Sequence, residues 1–405
     1  MGHYLYDQVV TKDEIQCRVY APVGVHEELL AYLVRRLLEN GANSSFVNAI
    51  VDDSQPVEQL LEDPVERTQR LLVRENKQIV MPIDLYAPSR ANSRGFDIYD
   101  LNATQGLSFR LEKWFEEHIK ALGDVKEAEN QIIVRNPALL SEIVGTHQVH
   151  SKEEMLAMLE RTTNAAESLS KVPVDERADV LMRIAGILER HMDELIGLCI
   201  KEAGKITVDG VDEVREAVDF CRYYAVEARR LDPANRLQSR GVVLCISPWN
   251  FPLAIFIGQI AAALVAGNTV IAKPAEQTSL IAKRALELMT SVGLPEDTVN
   301  IVIADGPDVG DVLLPDERIQ CVMFTGSTQT GSIISHILAA RGTEQVPLIA
   351  ETGGQNCMIV DSTALPEQVV DDVVISGFQS AGQRCSAMRV LFVQEDIADV
   401  VSEMI

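Results

Sequence analysis

From residue 241 onward the chain repeats one unit: a short apolar run rich in β-branched residues, a turn of small residues, then a stretch with helical spacing. Apolar runs fall at 241–247, 269–273, 299–303, 321–324 and 348–350. Helical stretches fall between them at 252–266, 278–292, 307–314 and 329–341. Strands that are apolar on both faces and alternate with helices call for a parallel sheet covered on both sides. Such sheets bind ligands at the carboxyl ends of their strands. Those ends carry Asn250, Lys273, Glu276, Gly326, Ser327 and Glu351.

The rest of the chain is less regular. Residues 151–230 are strongly helical, with segments near 151–170, 174–203 and 208–231, and 131–134 reads as a strand ended by Asn136 and Pro137. Residues 81–106 are rich in Pro, Ser, Asn and Gly and read as linker; 107–123 has helical spacing around Trp114, Phe115 and Ile119. At the start, 15–20 alternates towards a strand, and a helical pattern runs from His26 to a C-terminal Gly41. Residues 52–75 are acidic and partly helical. A lone strand and helix cannot bury their own apolar faces. A new helical pattern begins at Glu395 and runs to Ile405 without a cap. Both ends therefore read as cuts through a longer protein.

The net charge of −24 repels phosphate backbones and anionic lipid, which disfavours nucleic acid and membrane surfaces as partners. The apolar stretch 253–266 is interrupted by Gln259 and is too short to span a bilayer. Residues 1–20 lack the apolar core of a signal peptide. The seven cysteines are odd in number, scattered and without a C-x-x-C pair. That argues against a disulfide framework and a zinc site, and fits a reducing cytoplasm. Six of them read as small buried hydrophobes.

The seventh, Cys385, is different. Gly382, Gln383, Arg384 and Ser386 surround it with polar and electropositive groups. Asn250 and Glu351 add a side-chain amide donor and a carboxylate, and the three supply a nucleophile, an oxyanion donor and a base for attack on a carbonyl. Lys273 and Glu276, just past a strand end, suit ribose hydroxyls, and the carboxylate disfavours a 2′-phosphate. The loop 325–331 joins a strand to a helix and suits a phosphate at the helix N-terminus. Each feature taken singly also has a plain reading: a helix-capping Asn, a surface ion pair, a capped turn, a solvated Glu.

Taken together and in order, Pro248-Trp249-Asn250-Phe251-Pro252, Lys273-Pro274-Ala275-Glu276, Phe324-Thr325-Gly326-Ser327, Glu351-Thr352-Gly353-Gly354 and Gly382-Gln383-Arg384-Cys385 resemble the NAD(P)-dependent aldehyde dehydrogenase superfamily over about residues 130–405. The resemblance implies an α/β fold with a doubly wound, NAD-binding parallel sheet followed by the start of a catalytic domain. It implies Cys385 as nucleophile, Asn250 as oxyanion donor and Glu351 as the base for the hydrolytic water. Lys273 and Glu276 become ribose ligands, Ser327 a pyrophosphate contact, and Ser247, Trp249 and Gly326 further cofactor residues; no metal is implied. Thr352 departs from the usual Leu but leaves the Glu and both Gly in place.

The segment 17–24 and the helix containing Tyr32, Arg35 and Arg36 resemble the last strand and helix of the proline dehydrogenase barrel in the bifunctional bacterial proline utilisation proteins. There Tyr20, Arg35 and Arg36 match the proline-site residues, and paired guanidinium groups are a good carboxylate trap. This resemblance implies a barrel remnant over 1–75, a linker over 76–130, an NAD-binding domain over 131–354 and a truncated catalytic domain over 355–405. It also implies FAD in the parent protein, homo-oligomers, and oxidation of L-glutamate γ-semialdehyde to glutamate. Two alternatives stay open: a CoA-acylating aldehyde dehydrogenase, and a non-catalytic NAD-binding fragment.

Overall fold

A computed structural model describes residues 10, 23–41, 56, 61, 63–70, 79–122, 130–342 and 345–405. The chain divides into two compact units between Ile79 and Val80. In the first, helix α1 spans His26–Gly41 and helix α2 spans Pro64–Arg70. Arg35 and Arg36 lie on α1, and the Arg36 guanidinium sits 5.4 Å from the Tyr32 ring centre. Tyr20 and the strand expected at 15–20 lie outside the described residues.

The second unit is built on a five-stranded sheet, order β5-β4-β3-β6-β7, with every neighbouring pair parallel. The strands are β3 (Val242–Ile246), β4 (Thr269–Lys273), β5 (Val299–Ile301), β6 (Ile319–Thr325) and β7 (Leu348–Glu351). The chain runs outward from β3 through β4 to β5, then returns to the other side of β3 for β6 and β7. This reversal leaves a crevice at the carboxyl ends of β3 and β6, where open α/β sheets take ligands. The helices between the strands are α8 (Ala254–Val265), α9 (Ser279–Ser291), α10 (Gly306–Val312) and α11 (Thr328–Ala340). All five strands and four helices expected from the pattern after residue 241 are present.

Preceding the sheet are α3 (Leu101–Leu122), the antiparallel hairpin β1 (Gln131–Asn136) and β2 (Leu139–Gln148), and helices α4 (Lys152–Ser170), α5 (Val174–Arg190), α6 (Met192–Ala203) and α7 (Thr207–Leu231). Ser151 begins α4 with a reciprocal capping box to Glu154. The stretch expected as one helix over 174–203 is two, broken at His191. Strand β2 was not apparent in the sequence. On α7, Val211, Val214, Val218, Cys221 and Ala225 recur at three- and four-residue spacing and are all buried, forming one apolar stripe. It packs with α5 and with α8, which is apolar apart from Gln259, into a core that includes Leu181, Ile184, Phe256 and Ile260. The other sheet face packs on Met155, Leu159, Leu313 and Ile334.

Most of the stretch read as linker over 76–130 is instead built into this unit. Ser93 is fully buried; its N–H and hydroxyl both donate to Asp219, at 2.9 and 2.7 Å, and Arg90 reaches the same carboxylate at 3.2 Å. Arg222 donates to the Asn92 carbonyl at 2.7 Å. Trp114 of α3 lies against Gly197 of α6 so closely that a Cβ there would fall 2.3 Å from the ring. A composition rich in Pro, Ser and Asn marks irregular backbone, and irregular backbone can still be ordered when its polar groups find buried partners.

Past the sheet, β8 (Asn356–Val360) and β9 (Met388–Val393) pair in parallel, with α12 (Pro366–Phe378) and α13 (Glu395–Met404) packed beside them around Val360, Val373 and Val401. Among the described residues no helix is long and apolar enough to cross a membrane.

Candidate active site

Each proposed chemical group sits where a strand or helix ends. The chain leaves β3 at Ile246 and passes through Ser247, Pro248, Trp249 and Asn250 before α8 begins. It leaves β4 at Lys273 and turns through Glu276 into α9. It leaves β6 at Thr325 and enters α11, whose N-cap is Ser327. Glu351 is the last residue of β7. A cleft of about 450 Å³ opens at these ends, and its walls include Asn250, Lys273, Ser327, Glu351 and Cys385. Residues up to 135 positions apart in sequence are thereby brought to one place, as the chemistry of the sequence motifs required.

Lys273 Nζ and Glu276 Oε2 form an ion pair at 2.9 Å. Burial alone would raise the Glu276 carboxyl, but the Lys273 ammonium and the backbone N–H of Glu276 outweigh it and hold the group below its usual range. The carboxylate is therefore ionised and fixed at the cleft wall. From there an apolar hollow of about 500 Å³ extends between α10 and α11, lined by Val309, Leu314, Ile334 and Ile337 among others and sharing Lys273 and Glu276 with the cleft. The Ser247 hydroxyl is buried, lines the cleft and has no protein partner. An orphaned buried hydroxyl beside a ribose-sized cleft with an apolar extension fits a dinucleotide.

The phosphate loop is more constrained than its sequence suggested. The Gly326 N–H is already committed to the Glu351 carbonyl at 3.1 Å, so that N–H serves the turn, while the residue itself lines the cleft. Ser327 Oγ accepts from the Thr330 N–H at 3.1 Å and caps α11. The capped turn thus presents a helix N-terminus to the cleft, an arrangement suited to a phosphate.

Cys385 is exposed to the cleft on one side. On its other side lies a second cavity of about 340 Å³, walled by Asp209, Asp212, Glu213, Glu216, Lys205 and Phe251. A thiol between two cavities can meet a cofactor from one and a substrate from the other. Asn250 Nδ2 donates to the Gln383 carbonyl at 2.6 Å, and its second hydrogen remains for another acceptor. The Cys385 carbonyl accepts from Asn356 Nδ2 at 2.7 Å. Gly354 passes so near that a Cβ there would stand 2.7 Å from that carbonyl oxygen.

Two expectations need correction. The Arg384 guanidinium lines both cavities beside Cys385 but is not free to turn to the thiol: it is held back to α12, donating to the Ile375 carbonyl at 2.9 Å and to Gln379 at 3.2 Å. Carbonyls at a helix C-terminus attract that cation more than the open cleft does. Of the cysteines read as buried, Cys199, Cys221, Cys245 and Cys321 are, Cys357 is exposed on β8, and Cys17 lies outside the described residues.

The acidic wall of the second cavity was missed. Asp209, Asp212, Glu213 and Glu216 lie on α7, in a stretch that reads as an ordinary amphipathic helix. Burial, reinforced by Glu213 and Asp212, pushes the Glu216 carboxyl up to about 7, even though its side chain is open to the cavity. Burial also raises Glu213, against the pull of Lys205. No sequence signal separates these carboxylates from solvated ones.

Comparison with known proteins shows the family. Residues 125–405 match the aldehyde dehydrogenase family model, and residues 1–49 match the proline dehydrogenase model. The bifunctional protein PutA of Salmonella typhimurium is 46% identical over the whole chain, which spans 32% of that relative's length. A 1-pyrroline-5-carboxylate dehydrogenase of Bacillus mycoides is 35% identical over 69% of the chain and 57% of its own length. A crystal structure of a Bradyrhizobium japonicum proline utilization A (PutA) variant superimposes with a TM-score of 0.83 at 42% identity, covering all of this chain and 40% of that one. The chain thus spans about a third of the bifunctional relative it matches, and with more than half its residues under one family model it belongs to the aldehyde dehydrogenase family.

Proposed function

We propose that residues 80–405 carry the NAD-dependent oxidation of L-glutamate γ-semialdehyde, the open form of 1-pyrroline-5-carboxylate, to glutamate. The observation that carries this reading is the position of Cys385 between a dinucleotide-shaped cleft and an acidic cavity. An amino-acid aldehyde brings a cationic ammonium group, and Glu216 with its neighbouring carboxylates would hold it while the aldehyde carbon reaches the thiol.

The Cys385 thiolate adds through Sγ to the carbonyl carbon. The oxygen becomes an oxyanion, held by the free Asn250 amide hydrogen and by the Cys385 backbone N–H. Bound NAD supplies the hydride acceptor, and Lys273, Glu276, Ser327 and the Ser247 hydroxyl are the residues placed to hold it. Loss of hydride leaves a thioester on Sγ. Glu351 takes a proton from water, the resulting hydroxide adds to the thioester carbon, and collapse releases glutamate and restores the thiolate. Glu351 at the cleft favours water over CoA as the acyl acceptor. The match of residues 1–49 to the proline dehydrogenase family extends the reading to an FAD-dependent first step, with Arg35 and Arg36 on α1 as the proline-carboxylate ligands.

The test is Cys385→Ala in the full-length protein. NADH formation with the semialdehyde should vanish while NAD binding, followed by calorimetry, persists. Turnover retained by the variant would remove Cys385 from the mechanism, and wild-type turnover that needs CoA would favour the acylating alternative.

A further inference from the structure

The segment that presents Cys385 is held in an unfavourable backbone conformation. Ser380, Ala381 and Gly382 take three successive left-handed conformations, with φ of 54°, 55° and 66°. Only the glycine adopts this region freely. Such a run persists where its surroundings over-determine it.

The surroundings include a buried charge pair whose lysine the mechanism above does not use. Lys205 Nζ donates to Ser380 Oγ at 3.0 Å. The same ammonium lies 3.1 Å from Glu213 Oε1, an ion pair without hydrogen-bond alignment, with side chains 5% and 1% exposed. It also lies 4.5 Å from the centre of the Phe251 ring. The other oxygen of Glu213 accepts from the N–H groups of Leu253 and Ala254, at 3.3 and 2.9 Å. These residues begin α8, directly after the Asn250 loop. A second tie from α7, Gln379 to Asp209 at 3.2 Å, supports the same turn. One buried pair therefore touches both catalytic loops: Glu213 holds the backbone just past Asn250, and Lys205 holds the turn before Cys385.

We propose that Lys205, anchored by Glu213, is a positioning residue that fixes the left-handed 380–382 turn against the Asn250 loop and so sets Cys385 relative to its oxyanion donor. The inference rests on the reading of Cys385 and Asn250 as nucleophile and donor. A buried pair is a weak source of net stability, but breaking one partner strands the other charge. Specifying a strained conformation is a role suited to it.

Removing Lys205 leaves Glu213 buried and unpaired, so Lys205→Met risks misfolding. Ser380 is half-buried and uncharged, and two substitutions there separate the possibilities. Ser380→Ala deletes the acceptor at little change in conformational preference. Ser380→Asn restores an acceptor on a residue that tolerates the left-handed region. Two readouts apply to each variant.

The first is hydrogen exchange by mass spectrometry across 376–388, where the amides of Gln383 and Ala387 are bonded within the turn, at 2.9 and 3.1 Å. Ser380→Ala should exchange about tenfold faster there, as expected for a loop released from one tie, and Ser380→Asn should recover most of the protection. This readout does not depend on turnover. The second is kinetics in the full-length protein: Ser380→Ala should lower kcat about tenfold with the KM for NAD unchanged, a displacement effect at the reacting centre, and Ser380→Asn should recover it. Wild-type exchange in Ser380→Ala overturns the proposal whatever the activity. Faster exchange with wild-type kcat also overturns it, because the turn would then not set the nucleophile. A wild-type enzyme that does not oxidise the semialdehyde refutes the functional reading instead, and the exchange data alone then decide whether the tie holds the turn.

Discussion

Gly354 offers the most quantitative handle on the site. A Cβ there would stand 2.7 Å from the Cys385 carbonyl oxygen and 3.0 Å from both polar atoms of the Asn356 amide. A close carbon–oxygen contact is about 3.3 Å, so Gly354→Ala forces the two segments apart by roughly 0.6 Å. The Asn356 side chain cannot absorb this, because its Nδ2 is bonded to both the Cys385 and Ala387 carbonyls, at 2.7 and 3.1 Å. The displacement therefore falls on Cys385. A 1 Å error at a reacting centre costs about 100-fold in rate, and scaling to the smaller shift gives roughly a tenfold loss of kcat. Overpacking of this kind costs about 1–3 kcal/mol of stability. NADH formation, calorimetric binding of NAD and thermal unfolding would be measured side by side. The expected pattern is a kcat loss with near-native NAD affinity, since the nearest atoms that a Cβ at Gly354 would meet belong to Cys385 and Asn356 and not to Lys273, Glu276 or Ser327. Wild-type kcat in a folded Gly354→Ala protein would refute the close approach of Gly354 to the nucleophile.

Three further outcomes follow from the site and its supports. With Glu216 raised to about 7, ionised Glu216 becomes the dominant form only above neutrality; the ratio of semialdehyde KM in Glu216→Gln to that in wild type should grow as pH rises from 6 to 8, and a flat ratio would remove Glu216 from substrate binding. Burial pushes the Glu202 carboxyl up to about 8, against the pull of the Leu280 and Ile281 N–H groups it accepts from at 2.7 and 2.9 Å. The unfolded carboxyl ionises near its ordinary value of 4.5 while the folded one stays protonated to about 8, so stability should fall as pH rises through that window and level off above it. Denaturant midpoints should show a flatter pH profile for Glu202→Gln, whereas Glu202→Ala, which orphans both N–H groups, should lose roughly 1–3 kcal/mol.

The sheet was readable because most residues of its strands are apolar and each connecting helix has its own period. Elements with weaker patterns were not. Strand β2 carries Ser141, Glu142 and Thr146 among its apolar residues, so its pairing with β1 was not apparent. That Asn250, Glu351 and Cys385 would meet at one cleft was suggested for a different reason: they stand among motifs whose order is specific even where each is weak. What could not be read was tertiary. Nothing in the spacing of Lys205 and Glu213 marks them as a buried pair, since a charged residue on a helix is ordinarily solvated. Nor does the composition of 81–106 reveal that Asn92 and Ser93 are buried on α7; that depends on Asp219 and Arg222, more than a hundred residues away.

The central claim is that Cys385 becomes acylated and that water activated by Glu351 frees it. Glu351→Gln should uncouple the two halves. Mixed with the semialdehyde and NAD and quenched in acid, the variant should give a stoichiometric burst of NADH and then stall, with the glutamyl thioester found by mass spectrometry on the peptide containing Cys385 and not on the one containing exposed Cys357. Unimpeded steady-state turnover by Glu351→Gln, or a burst with no acyl group on Cys385, would contradict the account.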